Sequence, residues 1–460
     1  MHYLGNKKRK FWTVVFLFGA ILVAAIIADY LFYYHRIYPG IVFAELPLGK
    51  QSKTEAAWQL KRYLQNLNFK EKAVEFTAGE EVIWKTFGEL GIEPDIETMV
   101  NNAYNTARKG LFFLNYWQRF SLVREKYNLP LQIKVDYQKF RHTLQKAAAH
   151  LQQEPVNAKF VLVEDKKTVA IEPDIPGRRL DLAATYQKLQ EISVSLSTPL
   201  ACPIIFRPQA AEITAAKLET LQVKEEISSY TTHILNDNPQ RMQNIRLAAE
   251  AIDEMVLLPG EEFSFNGTVG DTTAEKGYQP APVIVSGKIT EGLGGGVCQV
   301  STTLYNAALL ANLEILERRN HGLYVDYVPP GLDATIAYGS IDLRFKNSLP
   351  YAIWIKTFME ADKLTVSFYS TKIPGQEVEI YTTNVKKIPP PEEFIATDSL
   401  PRGERKLLSS GKAGYVTTVW RVISLHGREV KKERLSQDFY KPLPAQYLLG
   451  TGGAALKKET

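Results

Sequence analysis

The chain has only two cysteines, Cys202 and Cys298, in 460 residues. That excludes a disulfide framework, since at most one bridge can form. No second cysteine and no histidine pair stands at zinc-ligand spacing, so no metal is expected. The Walker loop, the dinucleotide glycine fingerprint and the HExxH motif are also missing, and no cofactor is expected. A strong charge of one sign is lacking too. Setting aside Lys7, Lys8, Arg9, Lys10, Arg36 and the anion Asp29 takes the formal +5 down to about +1. No nucleic-acid partner is therefore expected. With 45% hydrophobic and 23% charged residues, extensive disorder is excluded, and the length predicts about three domains.

What is present begins with a long apolar run. NKKRK at 6–10 precedes Phe11 to Ala28, which contains no charge and no proline. Such a run is long enough to cross a bilayer, and the LFYY that follows Asp29 suits an interfacial aromatic belt. Basic residues ahead of the span keep the N-terminus cytoplasmic, so residues 1–36 read as a tail and single-pass anchor at the cell membrane. The bulk of the chain is then extracytoplasmic. A cleaved signal peptide is the alternative, but the exit IIADYLFYYHR offers no good small-x-small site.

Two stretches share one logic of apolar strand, glycine turn, acidic residue and amphipathic helix: VIWKTFGELGIEPDIETMVNNAYNTA (82–107) and TVAIEPDIPGRRLDLAATYQKLQEI (168–192). Asp95 and Asp181 are placed to cap their helices. The pattern predicts two α+β modules, 37–115 and 125–218, joined by the aromatic FFLNYWQRF as a packed interface.

From 225 the texture changes. Asn238 and Pro239 open a helix as N-cap and first residue, with Ile245, Ala249, Ile252 and Val256 as its apolar stripe. GEEFSFNGTVG and APVIVSGKIT read as strands, as do 333–346, 351–358 and 363–370, giving one α+β domain over 225–372. After a proline-marked boundary, 376–452 alternates apolar and polar residues as a small all-β domain, with a hairpin turning at His426–Gly427. The fold class is thus α+β multidomain behind an N-terminal transmembrane helix.

The stretch EGLGGGVCQVSTTLYNAALLANLEI (291–315) places Cys298 directly after three glycines and at a helix start. A helix start stabilises a thiolate, whereas a glycine run also serves close packing. Val297 to Leu313 spans about 24 Å as a helix. EILERRN, returning extended, covers about 23 Å and would deliver His321 beside Cys298. Asp333, or alternatively Asp326, could orient the imidazole, and Gln299 could donate to an oxyanion. The competing readings of Cys298 are a structural or ligand-contacting residue and a bridge to Cys202. In the last domain Tyr415, Trp420 and Tyr440 are candidates to stack on sugar faces.

These residues carry a resemblance. NPQRMQNIRLAAEAID, LLPGEEFSFNGTVGDTTAEKGYQPAPVI, GLGGGVCQVSTTLYNAAL and RRNHGLYVDYVPPGLDATIAYGSIDLRFKN resemble the VanW family, named for vancomycin-resistance gene clusters. The upstream modules look like a peptidoglycan-binding region, and the C-terminal segment is similar to a G5 domain, with Gly403, Gly411, Gly414 and Gly427. The resemblance implies peptidoglycan or its precursors as partner, and a role in cell-envelope maintenance or glycopeptide resistance. The residues add an alternative: a cysteine-dependent acyl transferase or hydrolase acting on peptide stems through Cys298 and His321.

Overall fold

The computed structural model describes residues 2–452 apart from 195, 197, 236, 237, 286 and 287. The chain forms two compact units: Met1–Val156 with Ile175–Ala211, and Asn157–Asp174 with Glu212–Thr460.

The first unit starts with the helix His2–Tyr33, whose segment Lys8–Tyr33 is long and apolar enough to cross a membrane. Its large apolar side chains point outward, Phe16 at 80% exposure. The helix Lys53–Asn66 begins at a capping box of Ser52 and Glu55 and buries Ala56, Leu60 and Leu64. Each fully buried leucine stabilises by roughly 1.5–3 kcal/mol. Asp95 and Asp181 do accept from the first-turn amides of Thr98 and Ala184.

The strand Leu200–Pro203 pairs in parallel with Ala73–Ala78. One core runs from Ile37 to Ile204, so the stretches 37–115 and 125–218 share an interior. The hairpin Lys159–Leu162 and Val169–Glu172 belongs to the other unit. Separate modules are not what forms, because the two stretches complete each other's sheet. FFLNYWQRF differs as well. It lies in the helix Phe112–Arg124, where Trp117 is 73% and Phe120 68% exposed.

In the second unit a four-stranded antiparallel sheet orders Glu225–His233, Lys363–Ser370, Ile353–Glu360 and Val256–Leu257. The helices Pro239–Ile252 and Val297–Leu310 pack on it. Asn238 caps the first through Arg241 N–H, with Pro239 in its first turn. Ile245, Ala249 and Ile252 are buried, while Val256 starts a strand. FNGTV, expected as strand, is the short helix Phe265–Val269, because the Ser264 hydroxyl accepts from Gly267 N–H. Only Arg344–Lys346 of 333–346 is regular strand. Ahead of it, backbone groups bond to helix side chains instead.

The last 77 or so residues described are all β. One sheet orders Gln376–Ile388, Gly414–Leu425 and Arg428–Tyr440, and the other Glu392–Pro401, Ala445–Gly452 and Arg405–Ser409. The turn between Leu425 and Arg428 has positive φ at His426 (51°) and Gly427 (76°), as a tight hairpin requires.

Candidate active site

The three glycines are packing devices that deliver a helix start. A Cβ on Gly295 would lie 2.7 Å from the Ala281 carbonyl carbon and the Pro282 oxygen. One on Gly296 would meet Arg241 Cγ at 2.9 Å, and Gly296 also adopts φ +107°. The chain thus presses between the 280–293 hairpin and the helix Pro239–Ile252 before turning into Val297–Leu310. Cys298, on the first turn, is a free thiol that keeps partial exposure.

The polar strip along this helix fixes the backbone opposite. Ser301 Oγ donates to Ala334 O (2.7 Å), Thr302 Oγ1 accepts from Ala334 N–H (3.0 Å), and Asn306 Nδ2 donates to Leu332 O (2.7 Å). Asp333 is held between these contacts, only 1% exposed. The chain after Leu313 returns past it, with Thr335 N–H donating to Arg319 O at 2.8 Å. That crossing brings His321 to Asp333.

Asp333 Oδ2 accepts from His321 Nδ1 (2.6 Å) and from the His321 backbone N–H (2.7 Å). Its Oδ1 accepts from Arg318 Nη2 (3.2 Å) and from the Tyr440 hydroxyl. Arg318 in turn forks onto Asp438 at 2.9 and 2.8 Å. The imidazole also acts on Cys298 through its charge. Near the sulfur lie Thr335 Oγ1 and the Ile336 carbonyl oxygen, each at 3.7 Å.

The electrostatics follow from these partners. Burial pushes the Cys298 thiol up, but His321 more than offsets it and holds the thiol below its usual range. Burial disfavours the imidazolium of His321, yet Asp333 and Cys298 push its pKa up to about 10. Asp333 is disfavoured by burial and held below the ordinary carboxylate range by His321 and Arg318. A thiol held low beside an imidazole held high, with a carboxylate behind it, has the chemistry of a nucleophile with a proton donor next to it. Cys202 contrasts sharply: burial pushes its thiol up to about 11.

Other candidates sit elsewhere. Asp326 pairs instead with Lys412 at 3.1 Å, and both side chains are exposed. Gln299 is a correction as an oxyanion donor. It is 1% exposed, and its Nε2 already serves Thr232 Oγ1 (3.0 Å) and His233 O (2.9 Å). Tyr440 is a second correction: fully buried on Asp333, it has no face to offer a sugar. Tyr415 packs on Tyr324 with ring centroids 4.7 Å apart, and Trp420 donates to Thr383 Oγ1 at 3.0 Å. Both keep partial exposure.

Arg241 is, with Arg318 and Asp438, a residue that sequence reasoning missed. Its Nη2 donates to the neutral Gln299 Oε1 at 2.6 Å, and its Nη1 is buried without a hydrogen-bond partner among the described residues. Cys298 and Tyr327 are the groups that act on its charge, against burial, which pulls its pKa down. Among the described residues, no three histidine, cysteine or acidic side chains gather to hold a metal ion.

Comparison with known proteins follows the same layout. Residues 240–369 match the VanW like protein family, 85–198 a peptidoglycan binding domain family, and 379–451 the G5 domain family. The uncharacterized protein YoaR of Bacillus subtilis is 34% identical over 270 residues, 58% of this chain and 84% of YoaR. The chain belongs to the VanW-like family. The vancomycin B-type resistance protein VanW of Enterococcus faecalis is 32% identical over 153 residues, 32% of this chain and 54% of that protein. Among solved structures, an IgA1 protease G5 domain matches at 26% identity and TM-score 0.15, covering 18% of this chain and 96% of that one. The VanW-like domain therefore sits in a cell-wall-associated protein, between regions matching a peptidoglycan-binding and a G5 domain.

Proposed function

We propose that the protein is anchored in the cell membrane by Phe11 to Ala28, faces outward, and binds peptidoglycan or its precursors in envelope maintenance or glycopeptide resistance. Support comes from the peptidoglycan-binding and G5 matches on either side of the VanW-like domain, and from an apolar N-terminal helix with no buried part. Tyr415 and Trp420 remain the side chains suited to stack on a sugar face.

Within that setting we propose cysteine-dependent acyl transfer or hydrolysis on the peptide stem. The observation that carries this is the 2.6 Å bond from His321 Nδ1 to Asp333, with the same ring acting on Cys298. The Cys298 thiolate attacks the carbonyl carbon, forming an S–C bond. The His321 imidazolium gives its proton to the departing amine as the C–N bond breaks. Water or a second amine then attacks the thioester and gives its proton to His321, and the thiolate leaves. The Cys298 backbone N–H, at a helix start, is the natural oxyanion donor in place of Gln299.

The test uses the full chain in detergent with purified peptidoglycan. Co-sedimentation is expected at moderate salt, and after acid quench the Cys298 peptide should carry an acyl adduct that Cys298→Ser lacks. A chain left wholly in the supernatant removes the binding claim. Binding without any adduct, with cross-link composition unchanged, removes the enzymatic one.

A further inference from the structure

The helix Phe112–Arg124 is inverted for a water-soluble unit. Its inner side is made by Leu122, 8% exposed, and by Arg119. Its outer side carries Leu114 (56% exposed), Trp117 (73%), Phe120 (68%) and Val123 (66%), with Leu111 (67%) just ahead. Single exposed apolar residues are ordinary, but five in one short segment form a patch that needs a cover.

What covers it is indicated by where it is tied. Arg119 bonds Asp29, at the exit end of the apolar helix, at 3.2 Å. Arg108, just before this helix, donates to Tyr33 O at 2.7 Å, and Tyr104 OH donates to Tyr34 O at 2.6 Å. The exit end of the span is therefore clamped into the same unit as the aromatic helix. An exit end lies at the lipid headgroup level, with its first charge at or beyond the boundary. Tryptophan and phenylalanine at that level bury their rings among headgroups and upper acyl chains.

We infer that Phe112–Arg124 is an interfacial helix that lays Leu114, Trp117, Phe120 and Val123 into the outer surface of the bilayer. This rests on the anchor reading. The helix gives the unit a second grip on lipid and restrains its swivelling about the span. Arg119 then neutralises Asp29 where that carboxylate would otherwise meet the membrane boundary alone.

The full chain carrying Cys202→Ser and Cys298→Ser would be reconstituted into phosphatidylethanolamine–phosphatidylglycerol vesicles. A nitroxide is placed at Trp117→Cys or Phe120→Cys, and for comparison at Lys146→Cys, an exposed site on another helix. Collision with oxygen relative to a water-soluble nickel chelate reports depth. At 117 and 120 the ratio should exceed that at 146 at least threefold. Equal ratios at all three sites, in protein that stays with the vesicles after an alkaline wash, would overturn the inference. Protein washed off the vesicles would instead overturn the anchor reading, and the interfacial helix with it.

Discussion

The hydroxyl of Tyr440, on the final strand of the first β sheet of the G5-like domain, donates to Asp333 Oδ1 inside the VanW-like domain. It also accepts from Gly331 N–H at 2.7 Å, and its ring meets Tyr324 at 6.1 Å. The carboxylate that orients His321 is thus completed by a domain about a hundred residues further along the chain, through Tyr440 and the Arg318–Asp438 fork. The G5-like domain is a structural part of this site.

Tyr440→Phe therefore leaves a buried carboxylate short of one donor and Gly331 N–H short of one acceptor. A loss of roughly 1.5–3 kcal/mol is expected. Urea unfolding of the full chain in detergent, followed by tryptophan fluorescence, would measure it. An unchanged midpoint would mean that the hydroxyl does not bear on Asp333.

Cys298 should alkylate early. In a Cys202→Ser background, the iodoacetamide rate should rise well below the roughly 8.5 of a free thiol. His321→Ala should move that rise upward, since burial then acts on the thiol without an imidazolium to offset it. The native profile should change again near pH 10, where His321 gives up its proton. A thiol that reacts only after denaturation would make Cys298 a packing residue.

Arg241 supplies a cation with no carboxylate partner among the described residues, beside a thiol that keeps partial exposure. It should favour an anionic reagent. The rate ratio of iodoacetate to iodoacetamide at Cys298 is expected to fall several-fold in Arg241→Gln and to be largely kept in Arg241→Lys. If Arg241→Gln leaves the ratio unchanged, the guanidinium does not reach approaching anions.

Much of this geometry was legible because it is local. The length of the helix and of the returning strand, read from 297 to 321, brings His321 back to the start of the helix. The choice between Asp326 and Asp333 was open, because it depends on which loop the helix side chains grip. Ser301, Thr302 and Asn306 grip 332–334. Tyr440, Arg318 and Asp438 were not legible as a set, since nothing in spacing reveals a contact over such a separation. Gln299 reads as free to donate for a related reason: its partners, Thr232, His233 and Arg241, come from elements far upstream. FFLNYWQRF reads as a packed interface and is not one, because apolar content does not say which side of a helix faces inward.

Asp333→Asn tests the whole arrangement through its pH dependence. Asp333 has a depressed pKa in the folded protein, so its stabilisation is present above about 3.9 and is lost as pH falls through the folded value. His321 has a raised pKa, so its contribution is full below about 6.5 and is lost as pH rises through about 10. The variant keeps the shape of the side chain but leaves Arg318 and His321 facing a neutral group. Breaking such a buried pair costs about 3–5 kcal/mol. The gap in stability between wild type and variant should be widest between about pH 4 and 6.5. It should narrow below that window as Asp333 is protonated, and above it as the wild-type His321 loses its advantage over the unfolded chain. Urea midpoints across pH 3 to 10 would trace the curve. A gap that stays constant over the range would show that Asp333 supports the fold through packing alone and does not hold His321 in its charged form.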